Sequence, residues 1–224
     1  MRTFAIGDIH GCFDAMIAVV RAAGISDQDR VIWLGDYVDR GPDSAKVIQH
    51  LSSLPADKNT FLRGNHEIML QNARASLHSM RSWASSGGGE TWDSYLQEYG
   101  GENCVQSVPD AHWSFIDNLK PYFETETHIF VHASIDAELE MGDQFDDTLF
   151  WGEYESIGPH VSGKHVICGH SSQKDGIPKL NANATCIDTW ACGFGWLTCL
   201  NVGTGQYFQA KQSCETRSDW LDRD

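Results

Sequence analysis

A chain of 224 residues, 41% of them apolar, is long enough to bury a sizeable hydrophobic core within one domain. Sixteen Lys and Arg residues against 31 Asp and Glu residues give a formal charge of -15, which argues against nucleic acid or an anionic membrane as a partner. No apolar run approaches the ~20 residues that a membrane-spanning helix needs.

The N-terminal residues do not show the basic, apolar and small-residue order of a secretory leader, because the first apolar residues run directly into a polar, glycine-containing turn. The seven cysteines are odd in number and none are spaced as CxxC, which argues against a disulfide framework and against a zinc knuckle. We therefore expect reduced thiols in a cytoplasmic protein.

The first third of the chain predicts three consecutive strand-turn-helix units. Apolar runs closed by glycine predict strands at residues 3–6, 31–34 and 60–62. Apolar residues at helical spacing predict helices at 12–23, 44–54 and 66–77. Consecutive β-α units favour a parallel sheet, in which the carboxyl ends of the strands share one edge and form the usual place for a ligand.

The rest of the chain changes character twice. Residues 78–125 predict helices and loops that cap the same edge, and no chemistry is assigned to them. From residue 128 onward, short β-like runs separated by Gly and Asn turns predict a second sheet packed on the first, with strands at 128–131, 165–168, 185–187, 196–202 and 206–210. The last dozen residues are expected to be peripheral, and residues 1–224 to form a single α/β domain.

Five short polar segments follow predicted strands or open predicted helices: GDIHG at 7–11, GDYVDRG at 35–41, RGNHE at 63–67, VHA at 131–133 and GH at 169–170. Together they offer carboxylate and amide oxygens and imidazole nitrogens, a mixture that suits manganese, iron or zinc better than magnesium or calcium. Two divalent ions that share a carboxylate can activate water and clamp a phosphoryl group, and Asp36, in the middle of the series, is the natural bridge. Arg40 and Arg63 lie beside two of these turns and can offset phosphate charge.

These five segments, in this order and at these separations, resemble the signature of the phosphoprotein phosphatase branch of the calcineurin-like metallophosphoesterases. The matching segments span residues 7–170, which is most of the chain. The resemblance implies a two-sheet β-sandwich flanked by helices, with the active site at the ends of the strands.

The resemblance also implies a role for each matching residue. Two sets of metal ligands share one carboxylate: Asp8, His10 and Asp36 for the first ion, and Asp36, Asn65, His132 and His170 for the second. His66 is implied as the general acid that protonates the leaving oxygen, and Asp39 as the group that orients its imidazole. Arg40 and Arg63 are implied to hold the phosphate.

Several positions depart from the pattern of the family or allow a simpler interpretation. Many relatives carry a further phosphate-binding Arg where this chain has Glu153, and some have Gly where it has Trp190. Gly87 to Gly89 are interpreted as a turn rather than a phosphate loop, since no Lys-Ser/Thr pair follows them. Aromatic residues at helical spacing in the middle segment are interpreted as packing: Trp83, Trp92, Tyr95 and Tyr99.

The sequence therefore predicts a phosphomonoesterase with two divalent metal ions, manganese being expected and iron or zinc the alternatives. The expected substrate is phosphoserine or phosphothreonine in a protein, with tolerance of phosphotyrosine or of a small phosphoester, and the expected state is a monomer. One alternative is hydrolysis of symmetrical dinucleoside polyphosphates, which similar bacterial relatives perform. A second is a catalytically silent module that only binds phosphate groups, which the intact set of ligands argues against.

Overall fold

The computed structural model describes residues 1–101 and 104–221. Its strands are β1 Thr3–Ile6, β2 Arg30–Trp33, β3 Asn59–Phe61, β4 Tyr122–Glu124, β5 His128–Val131, β6 His165–Cys168, β7 Lys179–Leu180, β8 Ala184–Cys186, β9 Asp188–Thr189, β10 Trp196–Asn201, β11 Gln206–Ala210 and β12 Thr216–Trp220. Its α-helices are α1 Phe13–Ala22, α2 Ser44–Ser52, α3 Asn65–Ala73, α4 Leu77–Trp83, α5 Gly89–Tyr99, α6 Cys104–Ser107, α7 Asp110–Asp117 and α8 Asp146–Trp151.

The strands of the described residues form two mixed sheets. The first has the order β12-β11-β10-β1-β2-β3, with β9 paired to β10, and the second has the order β4-β5-β6-β8-β7. In the first sheet β1, β2 and β3 are parallel, as the three β-α units predict, and in the second β5, β6 and β8 are parallel. The predicted two-sheet fold flanked by helices is confirmed.

The two sheets are buried on both faces, which explains why their central strands are almost continuously apolar. Along β2, Val31 and Trp33 face the core that α1, α2, α5 and α7 cover, whereas Ile32 points to the opposite face. There Ile32 packs in one cluster with Phe130 and Ile167 of the second sheet. A separate cluster on the outer side of the second sheet includes residues of α8.

Part of the predicted second sheet was assigned wrongly. The runs at 196–202 and 206–210 return to the first sheet, where β10 pairs antiparallel with β1 and β11 pairs with β10. Hydrophobic periodicity identifies a strand but contains no information about its partner, so the return could not be seen in the sequence. The polar C-terminal segment is peripheral in that its residues 216–220 are exposed, but it adds the edge strand β12.

The predicted helix at 66–77 is interrupted. Helix α3 ends at Ala73 and α4 begins at Leu77, because the hydroxyl of Ser76 accepts the Ser79 N–H at 3.1 Å and caps a new helix. The described part of the middle segment consists mainly of the helices α4 to α7, with a kink at Gly87 between α4 and α5, and it then enters β4, a strand that the sequence did not indicate.

Two further properties concern the chain as a whole. Across the described residues, no helix combines the length and the apolar character needed to cross a bilayer. The cysteines whose side chains are described are free thiols: Cys12, Cys168, Cys186, Cys192, Cys199 and Cys214.

Shortening Ile32, which lies fully buried between the two sheets, should test this packing. We expect Ile32→Ala to lower the free energy of unfolding by about 2–5 kcal/mol, because the lost methyl groups leave a cavity that the sheets cannot close. Val161→Ala, at a side chain 56% exposed, is the control and should change it by less than about 0.5 kcal/mol. Urea unfolding measures both, and similar midpoints for the two variants would contradict the description.

Candidate metal centre

Polar side chains from both sheets meet at one edge of the molecule. Asp8 and Asp36 lie just beyond the ends of β1 and β2, and His132 and His170 just beyond the ends of β5 and β6. Asn65 begins α3 after the turn that follows β3. Since the strands that precede these residues are parallel within each sheet, their carboxyl ends place the five side chains side by side.

The backbone at this edge is held in an uncommon conformation. Five non-glycine residues have positive φ angles there: His10 at 45°, Asp36 at 51°, Asp39 at 74°, Arg40 at 68° and His170 at 61°. Non-glycine residues avoid this left-handed region, and such strain concentrates at functional sites, where the surrounding structure enforces it. All five belong to the sets that the sequence singled out.

The Asp36 carboxylate lies at the centre of the cluster. Its Oδ2 is 3.5 Å from His10 Nε2, and its Oδ1 is 3.5 Å from His132 Nε2. Two groups of candidate ligand atoms, each within 4.8 Å of one another, therefore share this one carboxylate: His10, Asp36 and His66 in the first, and Asp36, His132 and His170 in the second. One oxygen faces each group, which is the arrangement that a bridging carboxylate requires.

The imidazoles are held in the form that binds cations. His10 Nδ1 donates to the Val38 carbonyl and His132 Nδ1 to the Leu34 carbonyl, both at 2.9 Å, which leaves each Nε2 as an electron-pair donor on the side of Asp36. Burial lowers the pKa of His10 to about 3 and that of His170 to about 4, so both rings are neutral at pH 7.

The second group places electron pairs against one another. Asn65 Oδ1 lies 3.0 Å from His132 Nε2 and 3.2 Å from His170 Nδ1. Because the proton of His132 is on Nδ1, Nε2 and the amide oxygen are both acceptors, and a cation between them would turn a repulsive contact into a favourable one.

Asp8 differs in part from its predicted position. Both of its oxygens accept the backbone N–H of His170, at 3.1 and 3.2 Å, and it belongs to neither of the compact groups. Burial, together with the nearby carboxylates of Asp188 and Asp36, raises the pKa of Asp8 well above its usual value. Three buried carboxyl groups that oppose one another's ionisation favour a bound cation, so the residues of this edge fit divalent metal ions.

His66, a member of the first group, forms a buried pair with Asp39. The imidazole Nδ1 donates to Asp39 Oδ2 at 2.6 Å, and its Nε2 lies 4.0 Å from Asp36 Oδ2. Burial alone would lower the pKa of His66, but the carboxylates of Asp36 and Asp39 outweigh it and raise the pKa. The ring is thus oriented with Nε2 toward Asp36, and the two carboxylates favour its protonated form.

The two arginines are placed differently. Arg40 is exposed, and its Nη1 donates to His10 Nε2 at 2.8 Å, at the side of the first group. Its backbone N–H donates to the Gly87 carbonyl at 2.9 Å. Arg63 instead donates from Nη2 to the Leu119 carbonyl at 3.3 Å, and within the described residues its buried Nε has no partner. The structure therefore brings Arg40, and not Arg63, into contact with the cluster.

Sequence reasoning missed the groups that hold Asp39 in place. The carboxylate accepts hydrogen bonds from the Trp83 indole N–H at 2.9 Å and from the Thr91 hydroxyl at 2.8 Å. Gly87 lies between them with φ +107°, and a side chain there would approach Arg40 Cγ to 2.6 Å. The middle segment, to which no chemistry was assigned, thus positions both Asp39 and Arg40.

Glu67 is a second residue that sequence reasoning left without a role. It is fully buried, and its carboxylate accepts the backbone N–H groups of Asp36 at 2.9 Å, Tyr37 at 2.8 Å and Gly64 at 3.0 Å. It fixes the turn that holds Asp36 against the turn that leads to Asn65. The sequence did offer a signal for this role, because Glu67 is a charged residue that stands directly between His66 and the apolar positions of α3.

The two departures from the family pattern both lie at the rim. Glu153 is exposed, and its neighbour Tyr154 donates its N–H to the Ser171 hydroxyl at 3.1 Å, next to His170. Trp190 lies two residues after Asp188, whose carboxylate accepts the backbone N–H of Trp190 at 2.9 Å. An acid and an aromatic residue therefore stand on segments hydrogen-bonded to Ser171 and Asp188, where many relatives have an Arg and some have a Gly.

Comparisons with known proteins agree with this arrangement. The profile of the calcineurin-like phosphoesterases matches residues 1–174. A serine/threonine-protein phosphatase 1 of Salmonella typhimurium is 31% identical over 211 residues, which cover 90% of this chain and 92% of that protein. A symmetrical bis(5'-nucleosyl)-tetraphosphatase of Buchnera aphidicola is 38% identical over 142 residues, but these cover 63% of this chain and only 47% of that protein.

Solved structures show the same fold. A protein serine/threonine phosphatase from Saccharomyces cerevisiae superposes with a TM-score of 0.64 at 16% identity, over all of this chain and 81% of that one. A cold-active protein-tyrosine phosphatase from a Shewanella species gives 0.58 at 14% identity, over 97% of this chain and 80% of that one. The sequence matches identify the family: the chain belongs to the calcineurin-like phosphoesterases, in their phosphoprotein phosphatase branch, and is a hydrolase of phosphate esters.

Proposed function

We propose that this protein is a two-metal phosphomonoesterase that removes phosphate from phosphoserine and phosphothreonine in proteins. The observation that supports it is the Asp36 carboxylate, whose two oxygens face two separate groups of imidazoles, with His66 of the first group hydrogen-bonded to the buried Asp39. The protein-phosphatase assignment is favoured by the Salmonella relative, because that likeness extends over nearly the whole length of both chains.

The proposed ligands are those of the two sets that share Asp36: Asp8 and His10 on one side, and Asn65, His132 and His170 on the other. The chemistry that divalent cations supply when bound there is activation of water and neutralisation of charge on the phosphoryl oxygens. Manganese is the proposed metal, because the ligands mix oxygen with neutral imidazole nitrogen.

The chain's own residues account for the remaining requirements of the reaction. Arg40 binds a phosphate oxygen, and Arg63 reaches the same group once its guanidinium leaves the Leu119 carbonyl. His66 transfers the proton on Nε2 to the ester oxygen as the P–O bond breaks, so that an alcohol and inorganic phosphate leave. Asp39 keeps the other ring proton on Nδ1 and stabilises the charged imidazole.

A second candidate is hydrolysis of symmetrical dinucleoside polyphosphates, which the Buchnera relative's 38% identity favours. Rates on a phosphoserine peptide and on diadenosine tetraphosphate, compared in Mn²⁺ buffer, decide between them. We expect the larger kcat/KM for the peptide, and a large excess for the dinucleotide would replace the first proposal with the second.

Removing the metal should abolish activity and restoring it should recover activity. We expect dialysis against EDTA to stop phosphate release, and Mn²⁺ to restore it with two ions bound per chain. Mn²⁺ should also raise the melting temperature, since a ligand that binds only the folded state stabilises it. Elemental analysis and thermal unfolding measure these effects independently of turnover. Full activity in a chain with no bound metal would contradict the proposal.

Replacing His66 should separate proton transfer from the rest of the reaction. We expect His66→Asn to retain both metals and to lose about 10²–10⁴-fold in kcat on an alkyl phosphate, because the leaving alkoxide then lacks its proton donor. The loss should be much smaller on p-nitrophenyl phosphate, whose leaving group is stable without a proton. His160→Asn, at a buried histidine outside the cluster, is the control. Equal losses on both substrates would exclude the general-acid role.

Trp83→Phe should show whether the middle segment positions the His66–Asp39 pair. The change keeps most of the ring but removes the N–H that donates to Asp39, so we expect kcat on an alkyl phosphate to fall about tenfold. Trp92→Phe, nine residues further along the chain in α5, is the matched control and should leave kcat within about twofold. If both variants behaved alike, Trp83 would be a packing residue only.

A further inference from the structure

An aromatic pair, the exposed Phe194 and the partly buried Trp190, stands on the loop between β9 and β10. The Phe194 side chain is 92% exposed, and its ring contacts Trp190 edge-to-face, with centroids 5.8 Å apart and planes at 75°. We call these two rings the aromatic lip. Among the large apolar side chains of the described residues, Phe194 is the most exposed, and burial cannot explain its position.

The loop is built to hold the lip in place. Trp190 has φ +64°, a conformation that favours glycine, yet the position holds the largest side chain. The backbone N–H of Trp190 donates to the Asp188 carboxylate at 2.9 Å. Gly193 lies against the indole so closely that a Cβ there would come within 2.2 Å of Trp190 Cε2. A strained residue with a glycine fitted to its ring indicates that the indole has a purpose at this position.

The lip lies beside the proposed phosphate site. The Asp188 carboxylate accepts the backbone N–H of Trp190 at 2.9 Å and also the hydroxyl of Ser172, two residues after His170. The lip is therefore tied to the loop that follows one proposed metal ligand, and the Arg40 guanidinium lies 2.8 Å from Nε2 of another, His10. On the outer side, the exposed Lys174 ammonium lies 5.8 Å from the centre of the Trp190 ring. A phosphate held by Arg40 would therefore have an aromatic surface and a second cation within reach of its substituent.

We propose that the aromatic lip binds a planar aromatic group attached to, or next to, the phosphorylated group of the substrate, with Phe194 as the contacting ring and Trp190 as its support. The inference rests on the proposed phosphoesterase function and specifies the substrate more narrowly. Two sources offer this chemistry: an aromatic side chain beside the phosphorylated residue of a peptide, and the base of a nucleotide. Stacking on an exposed ring suits either, because every such group has a π face.

Binding of two phosphonates, which cannot be hydrolysed, tests the contact without turnover. We expect the Mn²⁺-loaded protein to bind phenylphosphonate about tenfold more tightly than methylphosphonate in calorimetric titration. Phe194→Ala and Trp190→Gly should reduce this ratio to about twofold or less. Trp220→Ala is the matched control, because that ring is 56% exposed on the edge strand β12, and it should keep the ratio of the unaltered protein.

Two pairs of substrates identify the source. The first pair is a phosphoserine peptide with Phe or with Ala next to the phosphoserine, and the second is diadenosine tetraphosphate against inorganic tetraphosphate. If the protein prefers the Phe peptide and Phe194→Ala removes that preference, the lip binds an aromatic side chain of the peptide. If it prefers diadenosine tetraphosphate and Phe194→Ala removes that preference, the lip binds the base of a nucleotide. Indifference of both pairs to Phe194→Ala would overturn the proposal.

Equal binding of the two phosphonates by the unaltered protein, or a preference that survives Phe194→Ala, would also overturn it. Failure of the proposed phosphoesterase function would give another result. The metal-loaded protein would then release phosphate from no ester, while the difference in binding between the two phosphonates would remain measurable.

Discussion

The arrangement of the whole edge depends on the Asp36 carboxylate and the imidazoles on either side of it. Burial would raise the pKa of Asp36, but the His132 and His66 rings, when protonated, outweigh that effect and lower it, and a cation bound beside neutral rings would act in the same direction. Buried charge of this kind is costly unless it is compensated. Each sheet supplies one of the two rings beside this charge. His132 follows β5 of the second sheet, and His66 lies in α3, which follows β3 of the first. The packing of the two sheets and the chemistry of their shared edge are therefore one constraint.

Much of this could be predicted from the sequence, for a physical reason. Parallel strands bring their carboxyl ends together, so polar residues after apolar runs must meet if the runs are strands of one sheet. Asp36, His132 and His170 do meet, as predicted. The pattern also gave α1 within one residue at each end, since Gly24 at φ +59° ends the helix. What the pattern could not supply was the partner of each strand, and hence the return of β10 to the first sheet.

The site residues that the sequence did not reveal, Trp83 and Thr91, were missed for a different reason. Trp83 and Thr91 reach Asp39 only because the helices of the middle segment pack against α2 and α3 and bring their polar atoms into the interior. Neither residue stands in a motif, and an indole at helical spacing is usually a packing residue. Trp83 packs in the core through its ring and also positions Asp39 through its indole N–H. Without that N–H, the buried carboxylate would lack one of its hydrogen-bond donors. Long-range satisfaction of buried polar groups is invisible in local sequence.

Reaction and selectivity are placed on different parts of this fold. Apart from the exposed Arg40, the groups assigned to the reaction stand at strand ends, or are hydrogen-bonded to residues that do, and are buried or partly buried, which keeps their geometry fixed. The departures from the family pattern, Glu153 and Trp190, stand outside the sheets, on the segments that follow α8 and β9. Under the proposed function, an acid at the first position would lower the attraction for a bare phosphate, and an aromatic ring at the second would offer contact area to the group that carries the phosphate. We propose that these two changes shift recognition from the phosphate toward its substituent and leave the hydrolytic residues intact.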